Sequence, residues 1–284
     1  MDPSTGARFR AMCPSDHPAR SRDPVSGAVK VDIAGIRIDN VSMSEAVEAI
    51  ERMTGRNASG YVVTPNVDHV VRYRRDAGLR AAYAGAALVV ADGMPLIWSS
   101  RFLGTPLKER VAGSDLLFGS CELAERKGYR LFFLGGRAGA ASGAADKIRE
   151  MYPGIRIIGH YSPPFGFEKD RDENERIIRM IRDVGPDLLF VGLGSPKQEK
   201  WILEHRHACG VPATIAVGGS FEFASGLVRR APRWMQRAGL EWLWRLAMEP
   251  GRLWRRYLRN DPVFFWYILE QRWRAAGRNR DAPR

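Results

Sequence analysis

Apolar and polar positions alternate through "VKVDIAGIRIDNV", with Ala-Gly at the midpoint, a pattern that predicts an N-terminal hairpin. In "SMSEAVEAIERM" the period changes. Val47, Ile50 and Met53 fall at helical spacing behind a Ser that can cap the first turn. From there a strand-then-helix rhythm repeats. The short apolar runs "GYVVTPN", "AALVVADG", "RLFFLGG", "IRIIGHY", "DLLFVGLG" and "ATIAVGGS" predict strands, and "SDLLFGSCELAERKG", "AGAASGAADKIREMY" and "ENERIIRMIRDVG" predict helices. Continuous apolar strands alternating with amphipathic helices imply a parallel sheet covered on both faces. The fold class is therefore α/β, a Rossmann-like parallel sheet flanked by helices over residues 29–225.

Beyond Pro232 only helical material remains. Met235, Ala238, Trp242 and Leu246 fit one stripe of a helix, with Arg233, Arg237 and Arg245 off it, and Pro250-Gly251 interrupts the pattern. Residues 226–284 are expected to form a basic helical appendage. Charge sharpens that expectation. The chain of 284 residues carries a formal +12, and the segment from Leu227 onward holds fourteen arginines against five acids, or +9, with six of the eight tryptophans. Such a segment suits an anionic surface, either a membrane or a nucleic acid. No apolar run approaches the ~18 residues that a spanning helix needs. Residues 1–28 mix Pro, Ser, Arg and Asp without an apolar core and are expected to be a disordered tail, not a signal peptide. Cys13, Cys121 and Cys209 are widely spaced, which points to a reducing compartment and to neither a disulfide framework nor a zinc site.

Candidate chemistry collects at strand ends, where open α/β sheets bind ligands. Thr64-Pro65-Asn66, Ala91-Asp92-Gly93, Gly135-Gly136 and Gly192–Lys200 each follow an apolar run. Asp92 projects from a buried strand, so desolvation would raise its pKa and suit it to general-base work. It would equally serve as an N-cap for "MPLIWSSRF". Gly135 and Gly136 stand at a strand–helix turn of the kind that receives a diphosphate, although no Gly-x-Gly-x-x-Gly is present. "GLGSPKQEKW" is not a P-loop: Pro196 removes a donor amide, and no Ser or Thr follows Lys197. Arg110 can pair bidentately with a phosphate or be an ordinary surface arginine. Asp170-Arg171-Asp172 lies in a charged run opening a helix, and His205 and His207 face different directions on a helix, so no metal and no cofactor is expected.

The ordered set "TPNVDHV", "ADGMPLIW", "ERVAGSDLL", "LFFLGG", "PDLLFVGLGSPKQEKWI" and "VGGSFEFASGLVRRAPRWMQRAGLEWLWRLAMEPGRLWRRYL" resembles the WecG/TagA/CpsF glycosyltransferases over roughly residues 30–260. The resemblance implies an inverting, metal-independent transferase that moves a sugar from a UDP-sugar to a polyprenyl-diphosphate-linked saccharide in envelope polysaccharide synthesis. It implies a peripheral protein at the cytoplasmic face of the membrane. By the same resemblance, Asp92 is the general base, with Thr64 and Asn66 in the same pocket. Arg110, Gly135, Gly136, Gly192, Gly194, Lys197, Gln198, Glu199, Gly218 and Gly219 would bind substrate, and Arg230, Arg233 and Arg237 would meet the lipid diphosphate or the membrane. Met94-Pro95 departs from the small or aliphatic residues usual after the Asp-Gly. Two other readings compete with this one. The Arg/Trp-rich segment also suits a nucleic-acid-binding protein, although no nucleic-acid motif is present. The third is a sugar-nucleotide enzyme acting on a free acceptor. The sequence is compatible with a homo-oligomer.

Overall fold

In the computed structural model, residues 28–55, 59–255 and 261–280 are described, without the side chains of Arg233, Arg237, Arg252 and residues 278–280. The expected tail, with Cys13, lies outside the described residues. The first two strands, β1 (Lys30–Ile33) and β2 (Ile36–Asp39), pair antiparallel around a turn at Ala34-Gly35, both at positive φ. Helix α1 (Met43–Thr54) opens with a capping box, in which Ser42 Oγ accepts from the Glu45 amide and Glu45 accepts from the Ser42 amide.

A parallel six-stranded sheet follows: β3 (Gly60–Val63), β4 (Leu88–Val89), β5 (Arg130–Gly135), β6 (Arg156–Tyr161), β7 (Leu188–Gly192) and β8 (Ala213–Ala216), in the order β4-β3-β8-β7-β5-β6. All six predicted strands form. Successive side chains point to opposite faces, so Leu131, Phe133, Leu188 and Phe190 enter one core while Phe132, Leu134, Leu189 and Val191 enter the other. Between and around the strands lie α2 (Val67–Tyr73), α3 (Ala77–Ala84), α4 (Met94–Phe102), α5 (Gly113–Lys127), α6 (Ala140–Met151), α7 (Arg171–Val184), α8 (Lys197–Cys209) and α9 (Ser220–Ala224). Asp170 caps α7 by accepting from the Glu173 amide, so the Asp-x-Asp run is a helix start, as its charged surroundings imply.

The remaining helices are α10 (Arg233–Arg237), α11 (Glu241–Met248), α12 (Pro250–Trp254) and α13 (Pro262–Arg280). The single stripe expected through Met235, Ala238, Trp242 and Leu246 does not exist, because the helix breaks at Gly239. That residue takes φ 71°, and a Cβ there would lie 2.4 Å from the Trp98 ring. Close approach to Trp98 and a left-handed turn together require glycine. The segment is also bound into the core of the sheet domain: Phe264 and Ile268 join its buried apolar cluster, and Gln271 clasps the β1–β2 turn by accepting from the Ala34 amide and donating to Asp32 O.

Candidate active site

The strand order places the carboxyl ends of β3, β4, β8 and β7 side by side, and a cleft of about 470 Å³ opens above them. Its far wall is supplied by α10, α11 and the start of α13, so the C-terminal segment closes a site that the sheet begins.

Asp92 stands at the floor of this cleft. Its amide donates to Pro65 O at 2.8 Å, and Oδ2 accepts from the Gly113 amide at 3.4 Å, at the first turn of α5. It does not cap α4. Gly93 occupies that N-cap at φ 133° with no side-chain cap, so the carboxylate is left to face the cleft. Loss of water drives the Asp92 pKa up to about 6. The charge of Glu241 adds to the rise, and Arg110, the Gly113 amide and Arg245 oppose it.

Thr64 Oγ1 donates to Ala216 O at 3.2 Å, tying the ends of β3 and β8 together, while Asn66 caps α2 by accepting from the His69 amide at 3.4 Å. Both line the cleft. So do Gly194, Gln198, Gly218 and Gly219. The Gln198 amide is already engaged. Its Oε1 accepts from the Gly218 amide at 3.1 Å, and its Nε2 donates to the fully buried Glu199 at 2.8 Å, which fixes the loop after β8. Arg110 lines the cleft as well, but its two terminal nitrogens already donate to Glu241 at 3.0 Å and Asp115 at 3.2 Å.

Other candidate residues lie outside the cleft lining. Gly135, Gly136 and Gly192 form a backbone junction: the Gly136 amide donates to Gly192 O at 2.8 Å, and a Cβ on Gly135 or Gly192 would strike backbone or the Phe221 ring within 2.7 Å. These glycines let β5, β7 and α9 pack. Lys197 pairs with Glu168 at 2.6 Å and sits over the Phe165 ring, and Glu199 lies beneath the floor. Arg230 pairs with Asp115, leaving Nε and Nη2 buried without a hydrogen-bond partner. The side chains of Arg233 and Arg237 lie outside the described residues.

Sequence reasoning missed several cleft residues. Arg137, Glu222, Arg245, Glu241 and Glu249 all line it, as do Trp98 and Trp242. Arg245 Nε and Glu222 Oε2 are buried there without a hydrogen-bond partner, and so is Ser195 Oγ. The one available signal was the i, i+4 spacing of Glu241 and Arg245, which places both on the same face of α11.

Fold and cleft define a Rossmann-like α/β enzyme with a carboxylate set among arginines. Residues 31–278 match the glycosyl transferase WecG/TagA/CpsF family, and the chain belongs to that family of glycosyltransferases. The match runs past residue 260 and takes in most of α13. Among its relatives are enzymes named N-acetylglucosaminyldiphosphoundecaprenol N-acetyl-beta-D-mannosaminyltransferase. The one from Staphylococcus aureus (strain MW2) is 31% identical over 251 residues, 86% of this chain and 94% of its own. The one from Bacillus spizizenii (strain ATCC 23059 / NRRL B-14472 / W23) is 33% identical over 215 residues, 76% of this chain and 80% of its own.

Proposed function

We propose that the cleft transfers a sugar from a UDP-sugar to a polyprenyl-diphosphate-linked saccharide by a single inverting displacement. The acceptor hydroxyl oxygen attacks the anomeric carbon, Asp92 takes the hydroxyl proton, and UDP leaves with the electrons of the broken bond. The observation that carries this reading is Asp92, a carboxylate on the cleft floor with a pKa of about 6 and no capping duty toward α4. A base of that strength is charged at neutral pH and still accepts a proton readily. Arg245, with its unpartnered Nε in the cleft, suits the charge that builds on the leaving diphosphate. Those roles leave no step that needs a metal. Among the described residues, no three His, Cys, Asp or Glu side chains gather where one would be held. The relatives' printed name supports N-acetylmannosamine as the sugar and N-acetylglucosaminyl-diphosphoundecaprenol as the acceptor.

A lipid-borne acceptor requires a protein that sits at the membrane, and we place this one peripherally at the cytoplasmic face, with residues 226–284 as the contacting segment. Support comes from the exposed aromatics of the rim and its neighbourhood: Trp98, Trp242 and Phe265 at the cleft, with Trp234, Trp254, Trp266 and Trp273 on the C-terminal helices. Tryptophan favours the interface between headgroups and hydrocarbon. Among the described residues no helix is long and apolar enough to cross a membrane.

The test supplies UDP-N-acetylmannosamine and a short-chain alkyl diphosphate carrying N-acetylglucosamine. UDP release is then followed in excess EDTA, and the anomeric configuration of the product is read by NMR. Full activity and an inverted linkage are expected. A retained configuration overturns the single displacement, and activity lost to EDTA but restored by Mg²⁺ or Mn²⁺ overturns the metal-free reading.

A further inference from the structure

The reach of α11 into the cleft assigns a task to a residue that the strand-end motifs do not contain. Glu241 is the first residue of α11, directly after the turn that Gly239 makes against Trp98. From there its carboxylate crosses to the sheet side of the cleft and accepts from Arg110 Nη1 at 3.0 Å. Arg110 precedes α5, the helix whose first amide holds Asp92. Arg110 also donates to Asp115, and the other Asp115 oxygen takes Arg230, so a charged chain runs from α11 through Arg110 and Asp115 to the segment after α9. The Glu241 and Arg110 side chains are both mostly buried, at 23% and 16% exposed, so the pair is poorly screened by water.

We propose that Glu241 is a positioning residue for the transfer reaction: it holds Arg110 in place across the cleft and sets the charge environment in which Asp92 accepts a proton. The proposal rests on the reading of Asp92 as the general base. The pair has two distinct effects. Geometrically, it keeps the Arg110 guanidinium from swinging into the cleft and salt-bridging Asp92, which would lower the basicity of that carboxylate. Electrostatically, a negative charge on Glu241 disfavours the ionised form of Asp92, and Arg110 favours it. Other charged and titratable groups act on Asp92 too. Arg245 on α11 lowers its pKa, Arg230 and the Tyr83 phenol on α3 interact with it, and the Gly113 amide stabilises its charge. Of these groups only Glu241 is a carboxylate, and it comes from the C-terminal segment.

Glu241→Gln keeps an oxygen that accepts from Arg110 and removes the charge, whereas Glu241→Ala removes both. Two readouts are taken on the full-length protein: the pH profile of kcat/KM on the short-chain acceptor, and the titration of the Asp92 carboxyl by carbon-13 NMR, assigned by its absence from Asp92→Asn. In Glu241→Gln the Asp92 midpoint and the acid limb of the profile should both move to lower pH by roughly half a unit or more. In Glu241→Ala the plateau should fall by about tenfold or more, because Arg110, still held by Asp115, has its Nη1 freed to turn toward Asp92. Thermal melts check that both variants are folded. An Asp92 midpoint that stays put or rises in Glu241→Gln overturns the proposal. If the NMR midpoint moves and the acid limb does not, the influence of Glu241 on Asp92 stands and the assignment of Asp92 as the base falls.

Discussion

At the scale of single residues, Asp92 carries a cost that its position explains. A carboxylate held with a pKa of about 6 against an ordinary 3.8 is more easily charged in the unfolded chain than in the folded one. The folded state therefore loses stability as pH rises between those two values, by on the order of 3 kcal/mol at neutral pH. Asp92→Asn removes the charge and the penalty together. Its turnover should fall by about 10²-fold or more. Its melting temperature at pH 8 should rise by several degrees, a gain that disappears below about pH 3, where wild-type Asp92 is mostly protonated in both states. The wild-type rate should climb with pH through about 6. Near wild-type turnover in the variant would remove Asp92 from the chemistry, and a melting gain that persists at low pH would mean that burial is not its cause.

Among the elements, the turn between α10 and α11 decides whether the C-terminal segment reaches the cleft. Gly239 combines φ 71° with a Trp98 ring too close for any Cβ. Gly239→Ala should destabilise the protein by about 1–3 kcal/mol through overpacking and a left-handed backbone. It should also lower kcat/KM by pulling Glu241 and Arg245 out of register. Gly251→Ala serves as the control, because nothing lies within 4 Å of its Cβ position in α12. Calorimetry and steady-state kinetics on the two variants settle the matter: equal behaviour would mean that the contact with Trp98 does not set the segment. The strands and the Ser cap of α1 were legible in the sequence because apolar period and cap chemistry are local properties. The break at Gly239 was not, because its reason is a ring more than a hundred residues away.

For the whole molecule, the exposed tryptophans of the C-terminal helices stand in a stretch of sequence with a formal charge of +9. Arginines near an anionic bilayer contribute about 1 kcal/mol each, and that attraction is screened over roughly 10 Å at 0.1 M salt. Sedimentation with liposomes rich in anionic lipid should therefore show binding that weakens as salt rises. Changing Trp234, Trp266 and Trp273 to Ala should weaken binding further at every salt concentration, because these side chains are more than half exposed and fill no core. That variant should lose more activity on a membrane-embedded acceptor than on a short-chain one. Equal losses on the two acceptors, or no binding of the wild type to anionic liposomes, would overturn the peripheral-membrane reading.

By itself the sequence determined the sheet, because a parallel strand buried on both faces must be apolar along its whole length, and it determined the residues at the strand ends, because polar side chains directly after such runs have only the cleft to enter. Asp92, Thr64 and Asn66 were legible for that reason, and Gln198 and Gly218 through the family resemblance. Tertiary structure alone decided which of the glycines serve packing and which line the cleft, since that depends on what stands opposite each missing Cβ: the Phe221 ring and neighbouring backbone at Gly192, open space at Gly194. It also decided that Arg110 is held by two carboxylates and that α11 completes the site. An ion pair spanning 131 positions leaves no periodicity in the chain; it exists only once the core has brought its two ends together.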